Sequence, residues 1–205
     1  MGGFVRINYV LIDLENVQPA SLAGLDAEFF KVLIFVGASQ TKIPFELASA
    51  AQKLGERATY IKIAGNGSNA LDFHIAYYIG KLTQEDPTAY FHIISKDTGF
   101  DPLIQQLKAQ KIGVARSKEV GEIPLLKAAN SKTLQEKAAV VVSNLRQRGA
   151  SKPRTVKTLS STILSLFQKQ LPGEELTLLL AELQSIGAIT ITENKVSYAL
   201  PETAA

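Results

Sequence analysis

Five short apolar runs, separated by segments of helical length, fill the first 115 residues and constrain the fold more than any other feature. The runs contain few alternating polar residues, which is typical of strands covered on both faces of a parallel sheet. They predict strands Tyr9–Leu14, Val32–Val36, Thr59–Ile63, Tyr90–Ser95 and Ile112–Ala115. The segments between them predict helices Phe45–Leu54, Ala70–Leu82 and Phe100–Gln110. Strands that alternate with helices predict an α/β domain with a doubly wound, mainly parallel sheet.

The periodic pattern fades after this region and then resumes with a different character. Residues 119–132 contain turn-forming residues and predict a linker between a domain at 1–118 and a second domain at 133–205. The second domain contains three helical segments and two short strands: Thr133–Arg148, Val156–Gln170, Glu174–Ile186, Ala188–Thr192 and Lys195–Leu200. Three helices followed by a two-stranded wing are the pattern of a small winged-helix domain.

The composition excludes several classes of protein and of site. The chain has no cysteine, which excludes a disulfide framework, a thiolate metal site and a thiol nucleophile. No apolar run approaches the roughly 18 residues of a membrane span. The N-terminus also lacks the charged-then-apolar pattern of a signal peptide. We therefore expect a cytoplasmic protein without a membrane partner.

Positive charge is concentrated in the second half of the chain. Residues 1–130 carry 13 Lys and Arg against 13 Asp and Glu, whereas residues 116–157 carry ten basic residues against three acidic ones. A basic segment beside a neutral domain is typical of a protein that binds a polyanion, although a solvated linker has the same composition.

Acidic residues follow the predicted strands where a doubly wound sheet binds its ligands. Asp13 ends the first strand, Asp97 follows the fourth, and Asp101 lies one turn beyond Asp97. Asp72 lies in the first turn of the central helix. Each has a structural alternative, since an aspartate also caps a helix or favours its positive end. Together, however, several carboxylates around one crevice repel one another unless a cation neutralises them.

Oxygen ligands without His or Cys suit Mg²⁺ or Mn²⁺, which keep several waters when bound. Such an ion activates water and stabilises the charge that develops on a phosphodiester. The acidic residues therefore predict a metal-dependent hydrolase that acts on nucleic acid.

Three motifs resemble the NYN branch of the PIN-like nucleases across roughly residues 8–116. They are Tyr9–Asn16 (YVLIDLEN), Asn69–Asp72 (NALD) and Ser95–Leu103 (SKDTGFDPL), in the family's order. The resemblance implies an endoribonuclease in which Asp13, Asp72 and Asp97 bind the metal. It also implies that Asn16 positions the first loop or a ligand water.

The third motif departs from the family pattern at Gly99, where a second Asp is usual. Asp101 or Glu15 could supply the missing carboxylate, and we include Asp101 among the predicted catalytic and metal-binding acids. If neither does, the domain is a catalytically degenerate RNA-binding or regulatory protein. A third alternative is a phosphatase with Asp13 as nucleophile, although its usual Asp-x-Asp motif has Glu15 in the second position.

Two further groups of residues are predicted to contact substrate. The loop Gly65–Asn69 precedes a helix N-terminus, a favourable anion site, and offers Asn66, Ser68 and Asn69, with Lys96 close to Asp97 in sequence. The segment Lys152–Leu159 resembles the OST-HTH (LOTUS) modules that accompany PIN-like domains and are associated with RNA binding. The basic residues that we expect on phosphates are Arg146, Arg148, Lys152, Arg154 and Lys157. Winged helices also serve as dimerisation units, so a homodimer is the alternative use of this module.

Overall fold

The structure, a computed structural model, describes residues 6–131, 133–169 and 171–200. The chain divides into two units, the first ending at Ile123 and the second beginning at Pro124. Each unit has its own buried apolar cluster.

The first unit is built on a five-stranded sheet in which every neighbouring pair of strands is parallel. Its strands are β1 (Asn8–Asp13), β2 (Phe30–Val36), β3 (Ala58–Lys62), β4 (Tyr90–Ile94) and β5 (Gly113–Ser117). Helices α1 (Phe45–Leu54), α2 (Ala70–Glu85) and α3 (Asp101–Ala109) connect them. The predicted α/β domain with a parallel sheet is confirmed.

The strand order β3-β2-β1-β4-β5 makes β1 the central strand. From β1 the chain runs outward to β2 and β3, and it then returns through α2 to β4 on the other side. The direction of winding therefore changes between β1 and β4, which is the switch point where doubly wound sheets bind ligands. Asp13 ends β1 there, and Ser95 directly follows β4.

Helix α2 is amphipathic, and its two sides differ sharply. Leu71, Ile75, Ile79 and Leu82 are buried at helical spacing and join a cluster with Leu11, Phe91 and Ile93 of the sheet. Burial of each such side chain stabilises the fold by about 1.5–3 kcal/mol. The outer side of the same helix exposes Phe73 and Tyr77 to solvent.

His92 is a buried residue of β4 and belongs to the core. Its Nε2 lies 3.0 Å from Oδ1 of Asn8 on the neighbouring strand. Burial, with a smaller contribution from the charge of Arg6, lowers the pKa of His92 to about 3. The imidazole is therefore neutral at physiological pH and bonds within the sheet.

Within its described residues, the second unit contains four α-helices and an antiparallel hairpin. Its elements are α4 (Pro124–Asn130), α5 (Leu134–Gln147), α6 (Val156–Leu166), α7 (Gly173–Ser185), β6 (Ile189–Thr192) and β7 (Lys195–Tyr198). Reciprocal hydrogen bonds between Thr133 and Glu136 cap the start of α5, and Thr155 and Thr158 do the same for α6. The three predicted helices and both predicted strands of this unit correspond to α5, α6, α7, β6 and β7.

The segment 119–132 differs from the linker that the sequence predicts. It contains a 3-10 turn at Val120–Glu122 and the helix α4. Leu126 and Ala128 of α4 are buried, and Ala128 belongs to the core of the second unit. A helix of seven residues is too short to show a clear period, so its burial against other helices was not visible in the sequence.

Among the described residues, no helix combines the length and apolar character needed to cross a bilayer.

Candidate active site

Asp13 has the most constrained side chain at the switch point. It is 1% exposed. Its Oδ2 accepts hydrogen bonds from Nδ2 of Asn16 at 2.9 Å and from Oγ of Ser95 at 2.8 Å. Its Oδ1 accepts a third from the backbone N–H of Asn16, at an N–O distance of 3.2 Å. Three donors thus fix the orientation of one carboxylate, and Asn16 supplies two of them.

Asp97 lies across the switch point from Asp13, and Ser95 links the two. The backbone N–H of Asp97 donates to Oγ of Ser95 at 3.1 Å, and the same hydroxyl donates to Asp13. Oδ1 of Asp97 accepts from the backbone N–H of Gly99 at 2.7 Å and caps the turn Thr98–Phe100. Asp97 therefore does cap this turn, as the structural alternative predicted. The capping hydrogen bond also fixes its half-buried carboxylate beside the end of β4.

Asp72 is affected by the charges of acids from other segments of the domain. Its pKa is raised from 3.8 to about 6, first by partial burial and then by the negative charges of Asp13, Asp97 and Glu15. Charges far apart in water are screened, so the acids that act on Asp72 lie in its neighbourhood. They come from the end of β1, the segment that follows β1 and the segment after β4, and we call this neighbourhood the acidic crevice.

Glu15 reaches the crevice because the residue after β2 has no side chain. A Cβ built on Gly37 would lie only 1.8 Å from Oε1 of Glu15 and 2.7 Å from its Cδ. The carboxyl group of Glu15 thus occupies the space that any other residue at position 37 would fill. Asp101 and Glu15 were the two candidates to replace the acid that is missing at position 99. Of these, Glu15 contributes to the raised pKa of Asp72.

Asp101 does not share this environment. Arg116 of β5 binds it with two hydrogen bonds, Nε to Oδ1 at 2.9 Å and Nη2 to Oδ2 at 3.2 Å. Nη1 of Arg116 also donates to the carbonyl of Ser95 at 3.3 Å. Asp101 is absent from the charges that raise the pKa of Asp72. The structure therefore places Asp101 in an ion pair, separate from the predicted metal-binding acids.

Carboxylate oxygens are the ligand type that hard divalent cations prefer. Within the described part of the chain, however, no group of three or more His, Asp or Glu side chains is placed so that it could hold a metal ion. Mg²⁺ does not need such a group, because it binds through one or two carboxylates and keeps several waters. A positive ion beside Asp72 would relieve the repulsion from Asp13, Asp97 and Glu15 that contributes to its raised pKa.

A sequence model of the PIN domain family matches residues 7–117, which is more than half of the chain. The chain belongs to the PIN domain family. No curated protein and no solved structure gave a significant match. PIN domains are commonly nucleases, generally bind RNA and typically use divalent metals. The predicted PIN-like domain is thereby confirmed, and the matched segment contains Asp13, Asp72 and Asp97.

The loop before α2 lies at the same edge of the PIN domain. Oδ1 of Asn66 accepts a hydrogen bond from Oγ of Ser39 at 2.7 Å, which joins this loop to the segment after β2. Asn69 precedes α2 in the left-handed conformation, with φ of 61°, and its side chain does not cap the helix. Oγ of Ser68 donates to Oδ1 of Asn69 at 3.4 Å. These three side chains and Lys96 are exposed, as a substrate contact requires.

The predicted phosphate-binding residues lie in the second unit, close to β7. Oη of Tyr198 donates to the carbonyl of Pro153 at 2.6 Å, and Nζ of Lys152 lies 6.0 Å from the centroid of its ring. Burial raises the pKa of Tyr198, and the charge of Arg148 opposes that shift, so Arg148 is also near. The backbone N–H of Val196 donates to the carbonyl of Arg154 at 3.0 Å. Arg148, Arg154 and Lys157 are exposed, whereas Arg146 is half-buried at the end of α5.

Sequence reasoning missed three residues that shape the site in the PIN domain. Ser95 appears in the third motif but was not assigned the role of linking Asp13 to Asp97. Gly37 makes room for Glu15, and Arg116 neutralises Asp101. Ser95 was detectable as a polar residue at the end of an apolar strand, whereas the other two depend on contacts between distant parts of the chain.

Proposed function

We propose that the PIN domain is a Mg²⁺- or Mn²⁺-dependent endoribonuclease whose metal is held by Asp13, Asp72 and Asp97. The observation that carries this proposal is the hydrogen-bonded link from Asp13 through Ser95 to Asp97, beside an Asp72 whose pKa is raised by partial burial and by the charges of Asp13, Asp97 and Glu15. A protein maintains such repulsion at a cost in stability, and perturbed acids in a cleft are typical of functional sites. When bound, a divalent ion supplies activation of water and stabilisation of charge on the phosphodiester.

The chain's own residues provide positioning. Asn16 and Ser95 orient the Asp13 carboxylate, and Gly99 orients that of Asp97. At neutral pH Asp72 is above its pKa of about 6 and mostly ionised, although it protonates at mildly acidic pH. We assign the PIN domain to the NYN type on its three sequence motifs, and we do not include Asp101 among the metal ligands because Arg116 binds it.

We further propose that the second unit is a winged-helix module of the OST-HTH type that holds RNA phosphates. Its three helices α5, α6 and α7 are followed by the hairpin β6–β7, as that pattern requires. Lys152 and Arg148 lie near Tyr198 beside the hairpin. Helix α7 begins with Glu174 and Glu175, which would repel phosphates, so contact through residues 146–157 is favoured.

A second candidate function is RNA binding without turnover. Gly99 in place of an acid, together with the pairing of Asp101 by Arg116, leaves the site with fewer available carboxylates than the family motif provides. This alternative predicts salt-sensitive RNA binding and no cleavage with any divalent metal.

A cleavage assay separates the two candidates. Labelled single- and double-stranded RNA and DNA are incubated with the full chain in Mn²⁺ or in chelator. The nuclease predicts RNA cleavage that requires Mn²⁺ and falls on the order of 100-fold or more in Asp72→Asn and in Asp97→Asn, as when one charge-stabilising group is lost. Asp101→Asn is the matched control and should retain activity. Full activity in folded Asp72→Asn would refute the assignment, and absence of cleavage by the wild type would favour the binding function.

A further inference from the structure

An exposed row of residues runs along α2, starting beside the acidic crevice. It consists of Asn69, Phe73, Tyr77 and Lys81, which follow one another at intervals of four residues and are all exposed. Residues four apart are neighbours on a helix surface, so these side chains form one ridge. We call it the α2 ridge. Phe73 directly follows Asp72 in sequence, so the ridge begins on the same turn of α2 as that aspartate.

The two aromatic side chains of the ridge are unusually exposed for a folded domain. Phe73 is 70% exposed and Tyr77 is 65% exposed. The remaining large apolar residues of α2 are buried at helical spacing, so the core does not require these two. Large aromatic groups that the core leaves in solvent mark a surface for binding.

Tyr77 is supported from below. Its ring contacts that of Tyr78 edge-to-face, with centroids 5.6 Å apart at 87°. Tyr78 in turn contacts the buried ring of Phe35, with centroids 5.2 Å apart. Nζ of Lys81 lies 5.9 Å from the Tyr78 ring, which keeps a positive charge beside the aromatic pair. Tyr77 is therefore connected through Tyr78 to the sheet.

We propose that the α2 ridge is a stacking platform for the bases of an unpaired RNA strand. This inference rests on the proposed function for its substrate class. An amide, two aromatic rings and an ammonium group along one line are the groups that hold a single strand, through hydrogen bonds, stacking and phosphate contact.

The spacing of the ridge selects against a duplex. Residues four apart are separated by about 6 Å along a helix axis. Adjacent bases of one strand in a duplex are separated by about 3.4 Å. Bases on Phe73 and Tyr77 must therefore be unstacked from each other, which an extended single strand allows. The bases of a duplex are also paired and stacked inside it, out of reach of a helix surface.

The test measures RNA binding by the full chain in chelator, so that its result does not depend on cleavage. The probes are a single-stranded RNA containing adjacent 2-aminopurines and a duplex of the same length, both at elevated salt to weaken phosphate contacts. The variants are the double substitutions Phe73→Ala with Tyr77→Ala, and Phe73→Leu with Tyr77→Leu. Because both residues are exposed, neither variant should unfold the domain. Phe45→Ala is the matched control, since Phe45 is 80% exposed on α1.

The proposal predicts that both double variants lose on the order of 10-fold or more in affinity for the single strand. The quenching of 2-aminopurine fluorescence on binding should also be lost in both double variants. Their affinity for the duplex should equal that of the wild type, and Phe45→Ala should bind the single strand with wild-type affinity. Equal affinity of wild type and variants for the single strand, or an equal loss for the duplex, overturns the proposal. Wild-type dimers that the double variants abolish, with RNA binding unchanged, also overturn it and assign the ridge to contact between copies of the chain. If the wild type binds the single strand through the ridge but never cleaves it, the nuclease proposal fails and the stacking proposal stands.

Discussion

At the scale of single residues, Asp72 is the most informative side chain. Its carboxyl group is half-buried and faces Asp13, Asp97 and Glu15, so its pKa reports the electrostatic potential of the crevice. Asn16 and Ser95 donate hydrogen bonds to the Asp13 carboxylate, and the backbone N–H of Gly99 donates one to Asp97. Among the described residues, no hydrogen-bond donor to the Asp72 carboxyl group is seen, and the surroundings of this group disfavour its charged form.

This environment of Asp72 predicts that the stability of the metal-free protein depends on pH. Because the folded-state pKa of Asp72 is raised from 3.8 to about 6, the native state holds this proton more firmly than the unfolded state does. The contribution of Asp72 to stability is therefore fully present below pH 4 and is lost as the pH rises through about 6. Denaturant unfolding in chelator across this range measures it. The free energy of unfolding of the wild type, relative to that of Asp72→Asn, should decrease as the pH rises. Solvent screening reduces the size of this decrease. Mg²⁺ should make the decrease smaller at neutral pH, because the ion binds the ionised native state. Parallel pH curves for the two proteins would contradict the account.

Gly37 provides a second test at this scale. Gly37→Ala places a Cβ where Oε1 of Glu15 lies, 1.8 Å away, so the flexible glutamate must move. We expect a folded protein with Mn²⁺ affinity weaker by roughly 10-fold, the scale of losing one supporting group around a metal. Gly67→Ala is the matched control, because a Cβ there meets nothing within 4 Å. Calorimetric titration with Mn²⁺ compares them, and equal affinities would show that Glu15 does not assist the site.

At the scale of secondary-structure elements, the sequence predicted the strands and helices of the PIN domain to within a few residues. Long apolar runs and helical spacing are local signals, and burial on both faces of the sheet made them strong. Helix α4 was missed because it is short and its burial depends on α5 and α6 of the second unit. Local patterns lose their value when only tertiary packing stabilises an element.

The same limit applies to the site. Asp13, Asp72 and Asp97 were predicted to share one edge of the sheet from their positions at strand and helix ends, and the charges of Asp13 and Asp97 contribute to the raised pKa of Asp72. The ion pair of Asp101 could not be predicted from the sequence, because its partner Arg116 lies on β5 and meets Asp101 only in the folded domain. The positions of acids at the ends of strands and helices can be predicted from sequence. The basic residue that pairs with each acid depends on contacts that form only in the folded protein.

At the scale of the whole molecule, the chain combines a neutral PIN domain with a second unit that holds the basic excess. Arg148 and Lys152 of the second unit lie near Tyr198 of β7, and the phosphates of the proposed RNA ligand carry one negative charge per nucleotide. A division of labour follows from the proposal, in which the second unit supplies affinity and the PIN domain supplies chemistry.

Neutralising exposed basic residues tests this division. Each phosphate contact that is lost should lower the slope of log affinity against log salt by about 0.7 for single-stranded RNA. Filter binding across a salt series compares the triple variant Arg148→Gln, Arg154→Gln and Lys157→Gln with a control triple in the first unit: Lys42→Gln, Lys53→Gln and Lys111→Gln. The first triple should weaken binding and flatten the salt dependence while the control does not. Identical salt slopes for the two triples would remove the second unit from RNA binding.

The central claim is that Asp13, Asp72 and Asp97 form one site for a divalent ion, and direct measurement of Mn²⁺ binding tests it most simply. Electron paramagnetic resonance of the full chain, titrated with Mn²⁺ in the absence of RNA, counts the bound ions. The account predicts that the wild type and Asp101→Asn bind Mn²⁺ alike and that Asp72→Asn, still folded, loses it. Undiminished Mn²⁺ binding by Asp72→Asn, or no binding by the wild type, would contradict the claim.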